Sequence, residues 1–418
     1  MSGATFAALT HRGFRLLWSG IGASQIGDQM VVFALGWLVV DIAVREGTPQ
    51  LGPLYLGLLG LSRAGPGLAL GLFGGVFADR LDRRSVLLAT QTTGGLVALG
   101  LTALALGGNV GLPAIMALVV VSATAGAFDL TTQHATLPRL VPERDLMSAI
   151  GLTNTTTNVA MFAGPLVGGV LIGRIDLAGI FALAAALYAF AVAALIRIPP
   201  LPAAAEDRPN IFTSLGEGIA YVVREPMLRW LMLLAVLAAL FGRSAAYLLP
   251  AVAHDVLRVG AVELSWLLAA RGLGTLAGSL GAASLGAVRR RGIALAVAAL
   301  VFGACTAVFA VQRALPPALV LAAAMGAAQF MFSAFASVLM QTTAPDRLRG
   351  RVLSFYLTTV TGVTPLGVLL VGALGTAVGI DAAIAAGAAL LLVASFVALV
   401  GAQPLRAQRA RAEAALSG

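Results

Sequence analysis

The chain has 418 residues, of which 59% are apolar and only 11% are charged, and its mean hydropathy is +0.95. A soluble globular protein is nearer half apolar and a quarter charged, so this composition predicts a protein of the lipid bilayer. The chain has 27 arginines, no lysine and 18 acidic residues, which together give a net charge of +9. The absence of lysine excludes a P-loop lysine and a Schiff-base lysine, so we expect neither ATP-driven nor pyridoxal chemistry, and no enzyme.

Cysteine and histidine are too sparse for a disulfide or a metal site. Cys305 is the only cysteine, and the three histidines, His11, His134 and His254, are scattered along the sequence. A single cysteine excludes an intramolecular disulfide and a thiolate cluster. We therefore expect no metal and no cofactor, and any energy source must be an ion gradient or the substrate's own gradient.

Twelve apolar runs follow one another along the chain, each near the 20 residues or so that span a bilayer. They lie near residues 14–42, 53–78, 85–107, 112–135, 147–173, 176–198, 227–254, 262–287, 292–312, 316–341, 351–376 and 380–402. The first run is too long for a cleavable signal peptide, so we interpret it as the first spanning helix. The sequence predicts an all-α membrane protein with twelve transmembrane helices.

The arginines are distributed unequally between the loops on the two sides of these spans. The side of the N-terminus holds twenty: Arg12, Arg15, Arg80, Arg83, Arg84, Arg139, Arg144, Arg197, Arg208, Arg224, Arg229, Arg289, Arg290, Arg291, Arg347, Arg349, Arg351, Arg406, Arg409 and Arg411. The other side holds four: Arg45, Arg174, Arg258 and Arg313. The positive-inside rule therefore predicts that both termini lie in the cytoplasm. We expect the protein to lie in the inner membrane of the cell.

The spans divide into two six-helix halves, residues 1–198 and 227–402. Residues 199–226 form the longest polar segment, which predicts a cytoplasmic linker with an amphipathic surface helix, and residues 403–418 form a basic cytoplasmic tail. The halves resemble each other: Arg63 in span two and Arg271 in span eight are 271 − 63 = 208 residues apart, about half the chain. Such pseudo-symmetric halves are typical of transporters, with the substrate site near the midplane.

The loop after span two reads Gly75-Val-Phe-Ala-Asp79-Arg80-Leu-Asp82-Arg83-Arg84. This stretch resembles the signature of the major facilitator superfamily between helices two and three, although Asp82 replaces its second glycine. The resemblance implies a cytoplasmic latch in which Asp79 docks at the start of span eleven, which Arg349 and Arg351 flank. The residues of this latch are Gly75, Asp79, Arg80, Arg83, Arg84, Arg349 and Arg351. The alternative is a charged turn that only sets topology.

Span five carries Gly164-Pro165-Leu-Val-Gly168-Gly169, which resembles the antiporter motif of the exporting branches of this superfamily. Proline frees a backbone carbonyl, and glycines permit close helix approach and bending. The motif favours export over uptake. The alternative is ordinary helix packing in a chain that contains 49 glycines.

Charged residues inside the predicted spans are costly and usually functional. Asp28 in span one is our preferred proton carrier and Asp129 in span four the second candidate, because a carboxyl in a low dielectric can bind and release a proton. Arg63 is the expected counter-ion for either carboxylate. The alternative is a permanent ion pair that fixes helix register.

Further polar and aromatic residues could line a substrate cavity. The predicted set is Gln25, Asn154, Asn158, Arg243, Tyr247, Arg271 and Phe332. Asn154 and Asn158 stand among four threonines, Thr153 and Thr155–Thr157, which either line a polar cavity or bond between helices. Aromatic surfaces suit bulky amphipathic compounds.

The similarity to the superfamily covers nearly the whole chain, and Phe14 to Asp28 and Pro345 to Val352 resemble the branch of enterobactin-type siderophore exporters and macrolide- or tetracycline-type efflux pumps. It implies proton-driven export of a small amphipathic compound such as a drug, siderophore or secondary metabolite. We expect a monomer whose partners are that substrate, protons and membrane lipids, with no nucleic acid. Span four lacks the arginine of the family's proton-coupling motif. The alternatives are an uptake permease, an uncoupled facilitator, or a non-transporting sensor or scaffold.

Overall fold

The computed structural model describes residues 6–78, 82–108, 111–201, 211–284 and 291–401, and the regular secondary structure in these ranges is helical. The long helices are α1 (Arg12–Arg45), α2 (Gly52–Ala78), α3 (Arg83–Leu106), α4 (Leu112–Leu140), α5 (Glu143–Ile196), α6 (Ile211–Arg224), α7 (Pro226–Leu237), α8 (Ala261–Ser284), α9 (Arg291–Ala310), α10 (Leu315–Thr343), α11 (Asp346–Val378) and α12 (Ile380–Gly401). Short 3₁₀ turns precede α1 and α2, and Gly379, whose φ is 90°, separates α11 from α12.

Nine helices in the described part of the chain are long and apolar enough to cross a membrane. One of them, α5, has 54 residues and would be about 80 Å long if straight, far more than a bilayer core of about 30 Å. Its backbone leaves the helical region at Asp176, where φ is 54°, and so it forms two spans. The long helices α2 and α8 add two more, and the architecture is consistent with the twelve predicted spans.

The seventh predicted span is not one regular helix. After α7 the chain continues through a π-helical turn at Ala238–Arg243, two short α-helical turns and a second π-helical turn at Val252–Val256. The seventh predicted span, 227–254, is therefore built from several helical segments and is not one regular α-helix. Turns of π-helix are rare and are found disproportionately at functional sites.

The chain separates into two compact units. The first comprises residues 1–46 and 61–207, and the second comprises residues 47–60 and 208–418. In the first unit α1 packs along α5, and α3 packs on α4 and α5. In the second unit α8 packs on α10, and α9 packs on α10 and α12.

Helix α6 lies within the predicted linker and packs against α11 in the second unit. The Tyr221 hydroxyl donates a hydrogen bond to the Thr343 carbonyl over 3.4 Å. Residues 202–210, which precede α6, and the basic tail 403–418 lie outside the described ranges.

Candidate functional site

The first unit holds a partly buried ion pair between α1 and α2. The Arg63 Nη2 atom lies 2.6 Å from Asp28 Oδ2, and Gln29 Nε2 donates to the same oxygen over 3.3 Å. Asp28 is the seventeenth residue of the 34-residue α1, so the pair lies near the middle of that helix. The exposed fraction of the side chain is 29% for Asp28 and 38% for Arg63, so the pair is only partly buried.

Asp129 on α4 has only neutral hydrogen-bond partners. Thr90 Oγ1 and Gln91 Nε2 on α3 donate to its Oδ1 over 2.6 and 3.0 Å, and Gln133 Nε2 donates to its Oδ2 over 2.5 Å. From the sequence, Arg63 could pair with either Asp28 or Asp129. In the structure Arg63 pairs with Asp28. Three donors to one carboxylate stabilise its ionised form.

Tyr188 in the second part of α5 joins the two carboxylates into one cluster. It lies within electrostatic range of Asp28, Arg63 and Asp129. Its ring packs on Gly94 of α3, where a Cβ atom would approach Tyr188 Cε1 to 2.5 Å. The sequence analysis missed this residue, although a lone tyrosine in an apolar span was a signal that could have found it.

The glycines of the predicted antiporter motif pack directly beside Asp28. A Cβ atom on Gly164 would collide with Gln29, the neighbour of Asp28, and one on Gly168 would lie 2.8 Å from the ring of Phe33. Pro165 and Gly169 are buried on the same part of α5. The motif therefore brings α5 against α1 at Gln29 and Phe33, which follow Asp28 in the sequence, and both interpretations of the motif allow this packing.

The loop before α3 makes contacts that the sequence analysis did not foresee. Asp82 Oδ2 accepts from the Ser85 amide over 3.0 Å, and Asp82 Oδ1 accepts from the Leu201 amide over 2.7 Å. Arg83 donates to the Ala135 carbonyl of α4, and Arg84 donates to the Leu195 and Ile196 carbonyls at the end of α5. Cations at helix C-termini are stabilising because these carbonyls carry partial negative charge.

The remaining latch residues are only partly described. Asp79 and Arg80 lie outside the described residues, and Gly75 belongs to α2. Arg349 Nη2 lies 2.7 Å from Asp346 Oδ1, and Arg349 Nε donates to the Gln341 carbonyl over 2.7 Å, both in the second unit. Arg351 begins the second turn of α11 and is half-buried. The latch remains a prediction.

The predicted cavity residues fall into different environments. Asn154 is exposed and Asn158 half-buried on α5, whereas Phe332 is only 3% exposed and contributes to the core of the second unit. Gln25 lines a small cavity, and its Oε1 is buried with no partner in the described structure. The threonine hydroxyls donate to carbonyls four residues back in α5 rather than to another helix.

Two predicted arginines lie in the second unit. Arg243 ends the first π-helical turn, and Arg271 Nη2 on α8 donates to Gln329 Oε1 on α10 over 2.6 Å. Tyr247, four residues after Arg243, is 49% exposed.

A cavity of about 670 Å³ also lies in the second unit, but its lining contains none of the predicted site residues. It is lined by Asp255, Arg258, Arg313, Asp381 and neighbours near the junction of α11 and α12. Arg313 Nη2 and Asp381 Oδ2 form an ion pair of 2.7 Å within it.

The fold is that of the major facilitator superfamily of membrane transporters. The nucleoside transporter NupG superposes with a TM-score of 0.68 at 15% identity, covering 91% of this chain and 98% of that one. A bacterial homologue of the human lysosomal transporter Spinster superposes with a TM-score of 0.68 at 16% identity, covering 94% of this chain and 96% of that one.

Residues 3–416 match the family described as transmembrane secretion effectors, and the chain belongs to that family. Its relatives include the enterobactin exporter EntS of Shigella boydii serotype 18, which is 28% identical over 400 residues, 94% of this chain and 92% of the relative. EntS of Salmonella typhimurium is 27% identical over 374 residues, 88% of this chain and 86% of the relative. The protein is thus a multi-pass membrane transporter and not an enzyme.

Proposed function

We propose that the protein exports a small amphipathic organic compound across the inner membrane by proton antiport, with the two halves alternating the access of one site. The enterobactin exporters among its relatives support export of a small molecule. The twenty arginines on the side of the N-terminus, against four on the other side, support cytoplasmic termini.

The observation that carries proton coupling is the 2.6 Å ion pair between Asp28 and Arg63 near the middle of α1. A proton that binds Asp28 cancels the carboxylate charge and releases Arg63, whereas loss of the proton restores the pair. The two protonation states therefore favour two arrangements of α1 and α2. A charge change of this kind in a low dielectric is large enough to bias a conformational equilibrium.

Asp129 is the second proton site in this mechanism. Its three neutral donors hold the carboxylate in place, and it shares an electrostatic environment with Asp28 through their mutual repulsion. Protonation of Asp28 removes one of two nearby negative charges. Protonation of one carboxyl group therefore changes the electrostatic environment of the other, and Tyr188 lies within electrostatic range of both.

The test is transport by purified protein in lipid vesicles under an imposed pH gradient, with a panel of fluorescent compounds of positive, zero and negative charge. Asp28→Asn keeps the shape of the side chain but cannot titrate, and we expect pH-driven transport of every transported panel member to fall to background. Asp41→Asn is the control, because Asp41 pairs with Arg45 at the end of the same helix.

Dissipation of the pH gradient and voltage should likewise stop concentrative transport by the unmodified protein. Undiminished pH-driven transport by Asp28→Asn would reduce the ion pair to a structural one. Concentrative transport in the absence of both a pH gradient and a voltage would require another energy source.

A further inference from the structure

The second unit contains two arginines whose charges lie close together. Arg243 and Arg271 are within electrostatic range of each other, and Tyr247 lies within range of Arg271. The Nε atoms of both guanidinium groups are buried and have no hydrogen-bond partner among the described residues. By accessible surface, both residues as a whole are half-buried.

Among the described residues, no carboxylate from α7 to α12 pairs with these arginines. From α7 to α12 the sequence contains four acidic residues, Asp255, Glu263, Asp346 and Asp381. Each has a partner elsewhere: respectively His254, the Gly260 amide, Arg349 and Arg313. Between Glu263 and Asp346 the sequence has no acidic residue at all.

This arrangement reverses the one in the first unit. Arg63 on the second span pairs with Asp28 on the first span. Arg271, at the repeat-related position on the eighth span, instead has Arg243 of the seventh span nearby. Two like charges in a low dielectric repel each other, so this half lacks a negative charge that the other half supplies from its own chain.

Close packing of α8 on α10 fixes the position of the backbone that carries Arg271. Glycines bring α8 and α10 into backbone contact: Cβ atoms on Gly274 and Gly278 would collide with the Ala323 and Ala327 carbonyl oxygens, respectively. A Cβ atom on Gly326 would likewise collide with the carbonyl oxygen of Arg271 itself. Close contact of this kind fixes the position of one helix against the other.

The other polar groups of this region suit an organic anion. Gln329 accepts from one nitrogen of Arg271, which orients the guanidinium. Tyr356 on α11 lies within electrostatic range of Arg243 and beside Ser333, and Tyr247 is half-exposed. Guanidinium groups bind carboxylates through two parallel hydrogen bonds, and tyrosines supply apolar surface with a polar tip.

We propose that Arg243 and Arg271 bind the anionic group of the transported compound, so that the substrate is an organic anion with a carboxylate or a similar planar oxyanion. This assignment rests on the proposed function, since it names the substrate class of that transporter. The anion replaces the carboxylate that the second unit lacks, and it is recognised by charge and by the fork of donor nitrogens.

The first experiment measures binding to the unmodified protein in detergent. Salicylate and salicylamide have nearly the same shape, but only salicylate carries a negative charge. We expect salicylate to raise the unfolding temperature in a saturable way and salicylamide at equal concentration to leave it unchanged. Equal stabilisation by both compounds, or by neither, would overturn the proposal, and this comparison needs no variant.

The second experiment compares variants by calorimetric titration with salicylate. We expect the dissociation constant to rise at least tenfold in Arg243→Gln and in Arg271→Gln. Arg271→Lys keeps the charge but loses the fork of donor nitrogens, so its dissociation constant should lie between those of the unmodified protein and Arg271→Gln. Arg313→Gln is the control, because Arg313 is exposed and pairs with Asp381. Unchanged binding in both glutamine variants would refute the site.

The outcomes of these tests distinguish a failure of the proposed anion site from a failure of the proposed export function. If Asp28→Asn loses pH-driven transport of the dye panel while salicylate binding persists, both proposals stand. If the protein transports only neutral or cationic dyes and binds no salicylate, the anion site is refuted and the exporter stands. If salicylate binds through the two arginines but nothing is transported, the anion site stands and the exporter is refuted.

Discussion

Asp82 stands where the superfamily signature has a glycine, and its side chain joins two segments that are far apart in sequence. One carboxylate oxygen caps the first turn of α3 at Ser85, and the other accepts from the Leu201 amide 119 residues away. The Arg83 amide returns a bond to the Leu201 carbonyl over 3.1 Å. A glycine at position 82 would leave only the bond from the Arg83 amide, so the aspartate adds an attachment for the chain that leaves α5.

We predict that Asp82→Gly lowers the free energy of unfolding by about 1–2 kcal/mol, because a helix cap and a charge-assisted hydrogen bond are lost. Asp82→Asn should retain part of this stability, since asparagine caps helices well but offers one acceptor oxygen instead of two. Reversible unfolding in mixed detergent micelles measures the difference.

The control for this measurement is Asp41→Asn, since an exposed ion pair with Arg45 contributes little. Equal stability of Asp82→Gly and the unmodified protein would show that the Leu201 contact is energetically unimportant.

Single residues also mark the limit of what the sequence could predict. Asp28 and Arg63 were identifiable because charge inside an apolar run is costly whatever the fold. Thr90 and Gln91 could not be assigned to Asp129 from the sequence, because they are neutral residues on another helix, whereas the contact with Gln133 follows from its position one helical turn after Asp129. Tyr188 was identifiable as a lone tyrosine in an apolar span, but its packing on Gly94, which leaves space for the ring, is visible only in three dimensions.

Among the helices, α5 shows how composition determines both position and shape. Glycines on its first part allow it to lie against α1, and Asp176 interrupts it before the second part, which carries Tyr188. The two parts thus bring the antiporter-like motif and Tyr188 to the same charged cluster. This arrangement makes the packing and transport interpretations of the motif separable by experiment.

We predict that Gly164→Ala displaces α5 from α1, because the added methyl group would collide with Gln29. We expect the transport rate under a pH gradient to fall at least tenfold and the free energy of unfolding to fall by about 1–3 kcal/mol, as for other overpacked sites. Gly173→Ala is the matched control on the same helix, since nothing lies within 4 Å of its Cβ position.

If Gly164→Ala loses stability but transports at a normal rate per folded molecule, the motif is only a packing feature. Equal behaviour of the two variants in both measurements would contradict the close contact itself.

The helices were largely predictable because the bilayer imposes a length and a hydropathy on each span. The π-helical turns after α7 were not, because the apolar run over 227–254 has the same composition as a regular helix. Gly242, in the first π-helical turn, packs against Phe302, where a Cβ atom would collide with the ring. Hydropathy does not report such contacts.

For the whole transporter, the cytoplasmic latch predicted from the superfamily signature remains to be tested. We predict that Asp79→Ala increases the population open to the cytoplasm, because an attraction that closes that side is lost. The measurement is the labelling rate of Asn154→Cys in a Cys305→Ala background, since Asn154 is exposed and Cys305 is the only native cysteine.

Asp41→Ala in the same background provides the control for a lost carboxylate. Identical labelling in all three proteins would reduce the signature to a determinant of topology.

The pair of arginines without a carboxylate also has an electrical consequence for the whole transport cycle. A proton that enters carries positive charge inward, and an organic anion that leaves carries negative charge outward, so both movements follow the resting voltage. Each elementary charge gains about 2.3 kcal/mol per 100 mV. One anion exchanged for one proton thus draws about 4.6 kcal/mol from voltage alone, enough for a concentration ratio of roughly three powers of ten. Each cycle of such a transporter would move net positive charge into the cell, and the voltage would continue to drive export when the pH on the two sides is equal.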